Sequence, residues 1–204
     1  MFYSILDTKR QAILPLFARF KERFYLAGGT ALALQLGHRD SIDFDFFTEH
    51  PFDTAALFAQ LTDIFNGHTL LKTQDETNTL SVLVDESIKI SFMTYPYTLL
   101  SPTVDEPYLC IASVVDIGCM KLSAIVGRAT LKDYVDIYYI LKMMPLAELL
   151  DRSAKKFPSV DVGLTLKSLV YFDDIDTEPI SFTTSHEVTL AAIQQSLQEA
   201  IKKL

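Results

Sequence analysis

Gly28-Gly29-Thr30-Ala31-Leu32-Ala33-Leu34, followed by His38-Arg39-Asp40-Ser41-Ile42-Asp43-Phe44-Asp45-Phe46-Phe47, is the stretch from which the fold can be read. In its second part Ile42, Phe44 and Phe46 alternate with Asp43 and Asp45. Period two predicts a strand over residues 41–47, with both carboxylates on one face and the three apolar side chains turned into a core. In its first part, a short apolar run at 24–27 reads as a buried strand and stops at the paired glycines. A helical pattern over 30–36 then closes at Gly37. Only 7 of the 204 residues are glycine, so two adjacent ones mark a position with a particular need.

The chemistry of this stretch points to phosphate and metal. Glycines let backbone N–H groups approach a phosphate closely, and a helix N-terminus adds unpaired donors and a favourable dipole. Two carboxylates on one strand face repel each other, and a divalent cation removes that repulsion. Magnesium suits carboxylate oxygens and keeps open positions for substrate phosphates. D-x-D alone is a weak signal, because the polar face of an edge strand gives the same spacing. Asp174-x-Asp176 repeats it in what reads as a solvated loop. Arg39, between the two parts, has the planar fork for a bidentate phosphate contact or simply balances Asp40.

Working outward, residues 8–23 carry apolar side chains at helical spacing (Ile13, Leu16, Phe17, Phe20), with Pro15 shaping or breaking the first turn. Residues 53–65 form an amphipathic helix, and 68–72, 79–84 and 87–93 read as strands, with Asp85-Glu86 as a tight turn. The second half is helical: 113–126, 130–143, 162–170 and 186–203. Acidic capping boxes are expected at Ser113/Asp116 and Thr130/Asp133, with a further box at Thr184/Glu187. The class is α+β, a mixed sheet early and a helical lobe late, expected as a core at 1–110 and a lobe at 111–204 within one compact unit.

Composition sets bounds. Apolar residues at 49% allow a packed core, and no apolar run is long enough to span a bilayer. With no secretory pattern at the N-terminus, a cytoplasmic, membrane-free protein is expected. Cys110 and Cys119 lack metal or disulfide spacing, and the four histidines are scattered. A net charge of −8 argues against a general nucleic-acid coat protein. Lys9, Arg10, Arg19, Lys21 and Arg23, with Lys155 and Lys156, are candidates for a local basic surface, although a charge run is more often plain solubility.

The opening stretch resembles the AbiEii/AbiGii toxin family of nucleotidyltransferase-like proteins, within the DNA polymerase β-like nucleotidyltransferase superfamily. Lys121-x-x-Ala124 to Arg128, then Lys132-Asp133-Tyr134-Val135-Asp136, resembles that family's later motif. The resemblance implies a polymerase β-like core and a helical lobe, with NTP and Mg²⁺ as cofactors. It implies a toxin of a toxin–antitoxin or phage-defence pair, a cognate antitoxin, and nucleotide transfer to an RNA acceptor such as tRNA. Carried onto this chain, Asp43 and Asp45 hold the metals, and Gly28, Gly29 and Thr30 hold the triphosphate with Arg39, Ser41 and Arg128. Lys121, Asp133 and Asp136 complete the catalytic set. Lys121 and Arg128, seven apart on a helix, can face one cleft.

One departure bears on catalysis. Such enzymes commonly place a third carboxylate on a neighbouring strand. In Ile88-Lys89-Ile90-Ser91-Phe92-Met93 that position holds Ser91, which brings no charge to a metal and is a poor general base. Three explanations stay open: a shifted register with Asp85 or Glu86 serving instead, another base such as Asp133 or Asp136, or a catalytically impaired protein that only binds nucleotide or a partner.

Overall fold

The computed structural model describes residues 1–128, 130–173, 175–176 and 178–204. Asp174 therefore lies outside the described residues. Among those described, a seven-stranded mixed sheet has the order β3-β4-β5-β2-β1-β7-β6. The strands are β1 (Tyr25–Ala27), β2 (Phe44–Thr48), β3 (Leu70–Glu76), β4 (Thr79–Val84), β5 (Ile88–Thr94), β6 (Val104–Asp105) and β7 (Cys110–Ile111). β2 lies at the centre, antiparallel to β1 and parallel to β5. The helices are α1 (Thr8–Ile13), α2 (Gly28–Leu36), α3 (Thr54–Ile64), α4 (Val114–Gly127), α5 (Leu131–Ile140), α6 (Leu146–Lys156), α7 (Val162–Leu169) and α8 (Leu190–Lys202).

Aromatic side chains fill the core beneath β2. Phe17 comes from a 3₁₀ segment, Leu14–Phe20, that continues α1 after Pro15. Its ring packs on Phe44, Phe46 and Phe65 with centroids 4.8, 5.0 and 6.1 Å away. Phe92 of β5 stacks on Phe46 at 5.1 Å and meets Phe20 and Phe24 from the other side. Because period two sends Phe44 and Phe46 into this cluster, Asp45 between them is forced onto the opposite face, where the site lies.

Several elements differ from the sequence expectations. Pairing of β2 begins at Phe44, so Ile42 and Asp43 lie just ahead of the ladder. Ile42 is 53% exposed and does not share the core with Phe44 and Phe46. The expected helix at 8–23 is split, because Pro15 sits at the start of the tighter 3₁₀ segment. At the first box Ser113 caps α4 by accepting from the Asp116 N–H at 3.0 Å, while the Asp116 carboxylate accepts from the Ser113 hydroxyl and from the Leu100 and Ser101 N–H groups. At Thr130 the hydroxyl donates to the Asp133 side chain and caps no backbone N–H. The last helix starts at Leu190 with Thr189 as its cap, in place of Thr184. α6, β6 and β7 are additions. Leu146, Leu149 and Leu150 bury the apolar side of α6, while β6 and β7 are too short for an alternating pattern to register.

Phe17→Ala removes the ring on which Phe44, Phe46 and Phe65 converge. A loss of about 3–5 kcal/mol is expected, measurable as a lowered urea midpoint at unchanged slope.

Candidate active site

The site is built where β1 ends and α2 begins. Gly28 has φ +74°, a conformation other residues rarely adopt, and a Cβ there would lie 3.2 Å from Asp45 Oδ2. A Cβ on Gly29 would lie 2.5 Å from Arg39 Nη2 and 3.1 Å from Ser41 Oγ. The two glycines therefore let an acidic and a basic side chain close onto the same turn. Asp45 faces Ala27 of β1 on one side and Ser91 of β5 on the other. Burial first, and then the charge of nearby Asp43, push the Asp45 carboxyl above its ordinary value. The charges of Lys89 and Lys121 and a hydrogen bond from Ser91 oppose that rise.

Thr30 does not present its hydroxyl to the cleft. It is 2% exposed and lies within reach of the Asp43 carbonyl and, at 2.8 Å, the Ser41 hydroxyl. A carbonyl only accepts, so Thr30 donates to Asp43 and accepts from Ser41. The side chain expected to grip phosphate instead holds the backbone of the Asp43 segment.

Facing the carboxylates is a network of buried charge. Asp136, fully buried on α5, takes Arg39 in a fork, Nε to Oδ1 at 2.7 Å and Nη2 to Oδ2 at 2.9 Å. It also accepts from His38 Nε2 at 2.8 Å and pairs with Lys121 Nζ at 2.6 Å. Lys121, on α4, lies 2.7 Å from Asp133 as well. Asp133 further accepts from Arg128 Nε at 2.9 Å and Thr130 Oγ1 at 2.7 Å. Burial works to raise both carboxyls. For Asp136 the charges of Lys121 and Arg39 and the bonds from Arg39 and His38 more than offset it, holding the group well below the carboxylate range. For Asp133 the charge of Lys121 and the bonds from Lys121, Arg128 and Thr130 do the same. Burial pushes His38 down against the pull of Asp136, so the ring is neutral and donates through Nε2.

These elements border one cleft of about 520 Å³. Gly29, Ser41, Asp43 and Asp45 line it together with the cations Arg39, Lys121, Arg128 and Lys132 and the acids Asp40, Asp133, Asp176 and Glu178. Asp136 and His38 stand behind Arg39 and Lys121. Arg39, Lys121 and Arg128 are held by Asp133 and Asp136, and Lys132 by Glu178. Among the described residues no group of three or more His, Cys, Asp or Glu forms a metal cage. The donor set fits a different arrangement: two adjacent carboxylates with hard oxygens, one of them already disfavoured as an anion by burial and its neighbour. That suits a cation completing its coordination with substrate oxygens.

All the residues singled out in the sequence are therefore at or directly behind one cleft, but the chemistry of some differs from expectation. Asp133 and Asp136 have their oxygens occupied by cations and their basicity depressed, which makes them poor general bases. The register puts Ser91 opposite Asp45, while Asp85 sits at the β4–β5 turn bonded to His68 and Thr69. A shifted register with Asp85 serving is thus excluded. Of the candidate basic surface, Lys9, Arg19, Arg23 and Lys155 are exposed, whereas Arg10 is buried, Lys21 pairs with Asp105, and Lys156 pairs with buried Asp116. The sequence reading missed a wall formed by Asp176, Glu178, Pro179, Ile180 and Ser181. This segment crosses back through the bridges Arg39–Phe182 and Thr130–Asp176 and the ion pair Lys132–Glu178. No local pattern marks it, because its pairing is with residues far along the chain.

The family model "Nucleotidyl transferase AbiEii toxin, Type IV TA system" matches residues 16–203, nearly the whole chain. The chain belongs to the AbiEii nucleotidyltransferase toxin family. A relative in Aquifex aeolicus, the uncharacterized protein aq_aa25, is 41% identical over 161 residues, covering 76% of each chain. Among solved structures, MenT4, a nucleotidyltransferase toxin from Mycobacterium tuberculosis, is similar at a TM-score of 0.67. It is 15% identical, with 95% of this chain and 80% of that one covered. JHP933 from Helicobacter pylori is similar at 0.56 and 15% identity, covering 96% and 90%. At such identities these structures support the fold, and the family assignment rests on the AbiEii match. As an AbiEii member the chain is a nucleotidyltransferase.

Asp136→Asn strands Arg39 and Lys121 with one buried partner fewer, and is expected to cost about 3–5 kcal/mol at pH 7. The sign with pH follows from the lowered value of Asp136. Its contribution is complete above the ordinary carboxylate range and disappears as pH falls through the depressed folded-state value. Urea unfolding should therefore show wild type and variant converging only in strong acid.

Proposed function

We propose that this AbiEii protein is a Mg²⁺-dependent toxin that transfers a nucleotide from an NTP to an RNA acceptor such as tRNA, with a cognate antitoxin as its partner in a cytoplasmic setting. The observation that carries the reading is the gathering, around one cleft, of the Asp43/Asp45 carboxylates beside the Gly28-Gly29 turn with the side chains of Arg39, Lys121 and Arg128. Residues 1–110 would supply the metal and glycine-turn end, and residues 111–204 most of the cationic end.

In this reading the acceptor hydroxyl attacks the α-phosphorus in line and pyrophosphate leaves, so catalysis rests on positioning and charge. Asp43 and Asp45 would hold Mg²⁺, which when bound supplies charge neutralisation at the phosphate oxygens. The backbone at Gly28 and Gly29 admits the triphosphate at the start of α2. Lys121 and Arg128 face its negative charge, and Ser41 lines the approach. Asp136 keeps Arg39 and Lys121 extended and correctly aimed, and Asp133 does the same for Lys121 and Arg128; both act as positioning residues. With Ser91 uncharged and these two acids committed to cations, the acceptor proton passes to water at the open side of the cleft.

Purified protein incubated with Mg²⁺, each labelled NTP in turn and total RNA should label RNA, and Asp43→Ala/Asp45→Ala should abolish the labelling. Nucleotide binding without transfer by the wild type would instead favour a catalytically impaired binding protein.

Arg128 reaches the network from an exposed position, its side chain 61% accessible. Arg128→Ala should therefore cost only about 1–3 kcal/mol of stability, since Asp133 loses one charge-assisted partner but keeps Lys121 and Thr130. It should raise the KM for NTP by roughly tenfold, the equivalent of one charge-assisted contact of about 1.5 kcal/mol.

A further inference from the structure

We propose that Arg10 is a positioning residue for Asp43, acting by clamping the peptide that leads into it; the inference rests on Asp43 being a metal-holding carboxylate. Asp43 is the more delicately held of the two acids. Asp45 lies within the β1–β2–β5 ladder, where pairing on both sides fixes its backbone. Register on β2 starts at Phe44, so the Ile42–Asp43 peptide precedes the sheet. The side chains of Ile42 and Asp43 are both exposed, and no core contact locks them.

Two side chains take over the role of the ladder. Thr30 donates to the Asp43 carbonyl. Arg10 donates from Nε to the Ile42 carbonyl at 2.7 Å. From the same guanidinium, Nη2 reaches the Ser87 carbonyl at 2.8 Å, and Nη1 pairs with Asp7, the N-cap of α1. One planar group thus joins the peptide ahead of β2 to the peptide ahead of β5, the strand that carries Ser91 beside Asp45. Arg10 is 6% exposed, although it is a cation on a short surface helix. A buried guanidinium is tolerated only when paired and hydrogen-bonded, and here each of its three nitrogens has a partner held at a fixed place by the fork. A purely structural anchor would need only the charge. The fork, by contrast, needs arginine, because a lysine amine is a single point and does not span both carbonyls.

The test measures Mn²⁺ binding by the full chain through the loss of free Mn²⁺ signal in electron paramagnetic resonance. It compares wild type, Arg10→Lys, Arg10→Met, Thr30→Val, Asp43→Asn and the double variant Arg10→Lys/Asp43→Asn, each checked for cooperative unfolding. Loss of a group that orients a metal ligand typically weakens metal binding by roughly 10–100-fold. Arg10→Lys, which keeps the charge and the pairing to Asp7, is expected to show a loss in that range, with Thr30→Val weakened in the same direction. In the Asp43→Asn background, removing Arg10 should change the remaining affinity by less than about twofold, since a residue acting through Asp43 has nothing left to position. Folded Arg10→Lys with wild-type affinity overturns the inference and leaves the metal reading intact, and so does a full additive loss in the double variant. Failure of the wild-type chain itself to bind Mn²⁺ overturns both.

Discussion

A single buried carboxylate ties the two halves of this protein together. Asp136, on α5 of the helical half, has no access to water and takes Arg39, His38 and Lys121 at once. Two of those partners come from the loop between α2 and β2, and the third comes from α4. An ionised carboxylate at such a depth persists only because its oxygens are filled by two cations and the His38 N–H, and removing Arg39 or Lys121 would leave buried charge poorly compensated. The same contact fixes where Arg39 points. The Arg39 guanidinium in turn comes so close to the backbone that Gly29 has room for no side chain. Through this ion cluster α4 and α5 are joined to the loop between α2 and β2 and to the glycine turn.

The arrangement divides labour among four aspartates that look alike in sequence. Asp133 and Asp136 hold Arg128, Lys121 and Arg39 in place, and these cations lower their affinity for a proton. Asp43 and Asp45 have no cation bonded to them and stand close together, with Asp45 raised by burial and by its neighbour. The first pair is balanced from within the protein, whereas the second invites a charge from outside it. Around about 520 Å³ of cleft, the Asp43 and Asp45 carboxylates together with Arg39, Lys121 and Arg128 suit a ligand that brings both phosphates and a divalent cation. Ser91 stands beside Asp45 where a third acid was expected, and in the proposed function the site then relies on charge placement more than on proton transfer.

Much of this was legible in the chain. Alternation through Phe44, Asp45 and Phe46 gave the strand and the face of Asp45. The paired glycines marked the turn, and the spacing of Lys121 and Arg128 gave a shared direction. What local pattern does not encode is pairing at a distance. Ile42 satisfies the alternation yet is solvent-exposed, because β5 starts pairing only at Phe44. Arg10 looked like part of a basic surface, since nothing nearby in sequence reveals that the carbonyls of Ile42 and Ser87 await it. The same holds for the wall formed by Asp176 and residues 178–181, whose partners Thr130, Lys132 and Arg39 lie far away along the chain. Thr30 and Asp133 were read by residue type as phosphate grip and catalytic acid. Their hydrogen bonds, invisible in sequence, turn both into supports.

The most direct measurement is a crystal structure of the protein with Mn²⁺ and a non-hydrolysable NTP analogue, with data collected at the manganese absorption edge. The account predicts an anomalous peak between the Asp43 and Asp45 carboxylates, with the triphosphate running from the Gly28-Gly29 turn toward Lys121 and Arg128. A peak elsewhere, or a triphosphate bound away from this cleft, would contradict it.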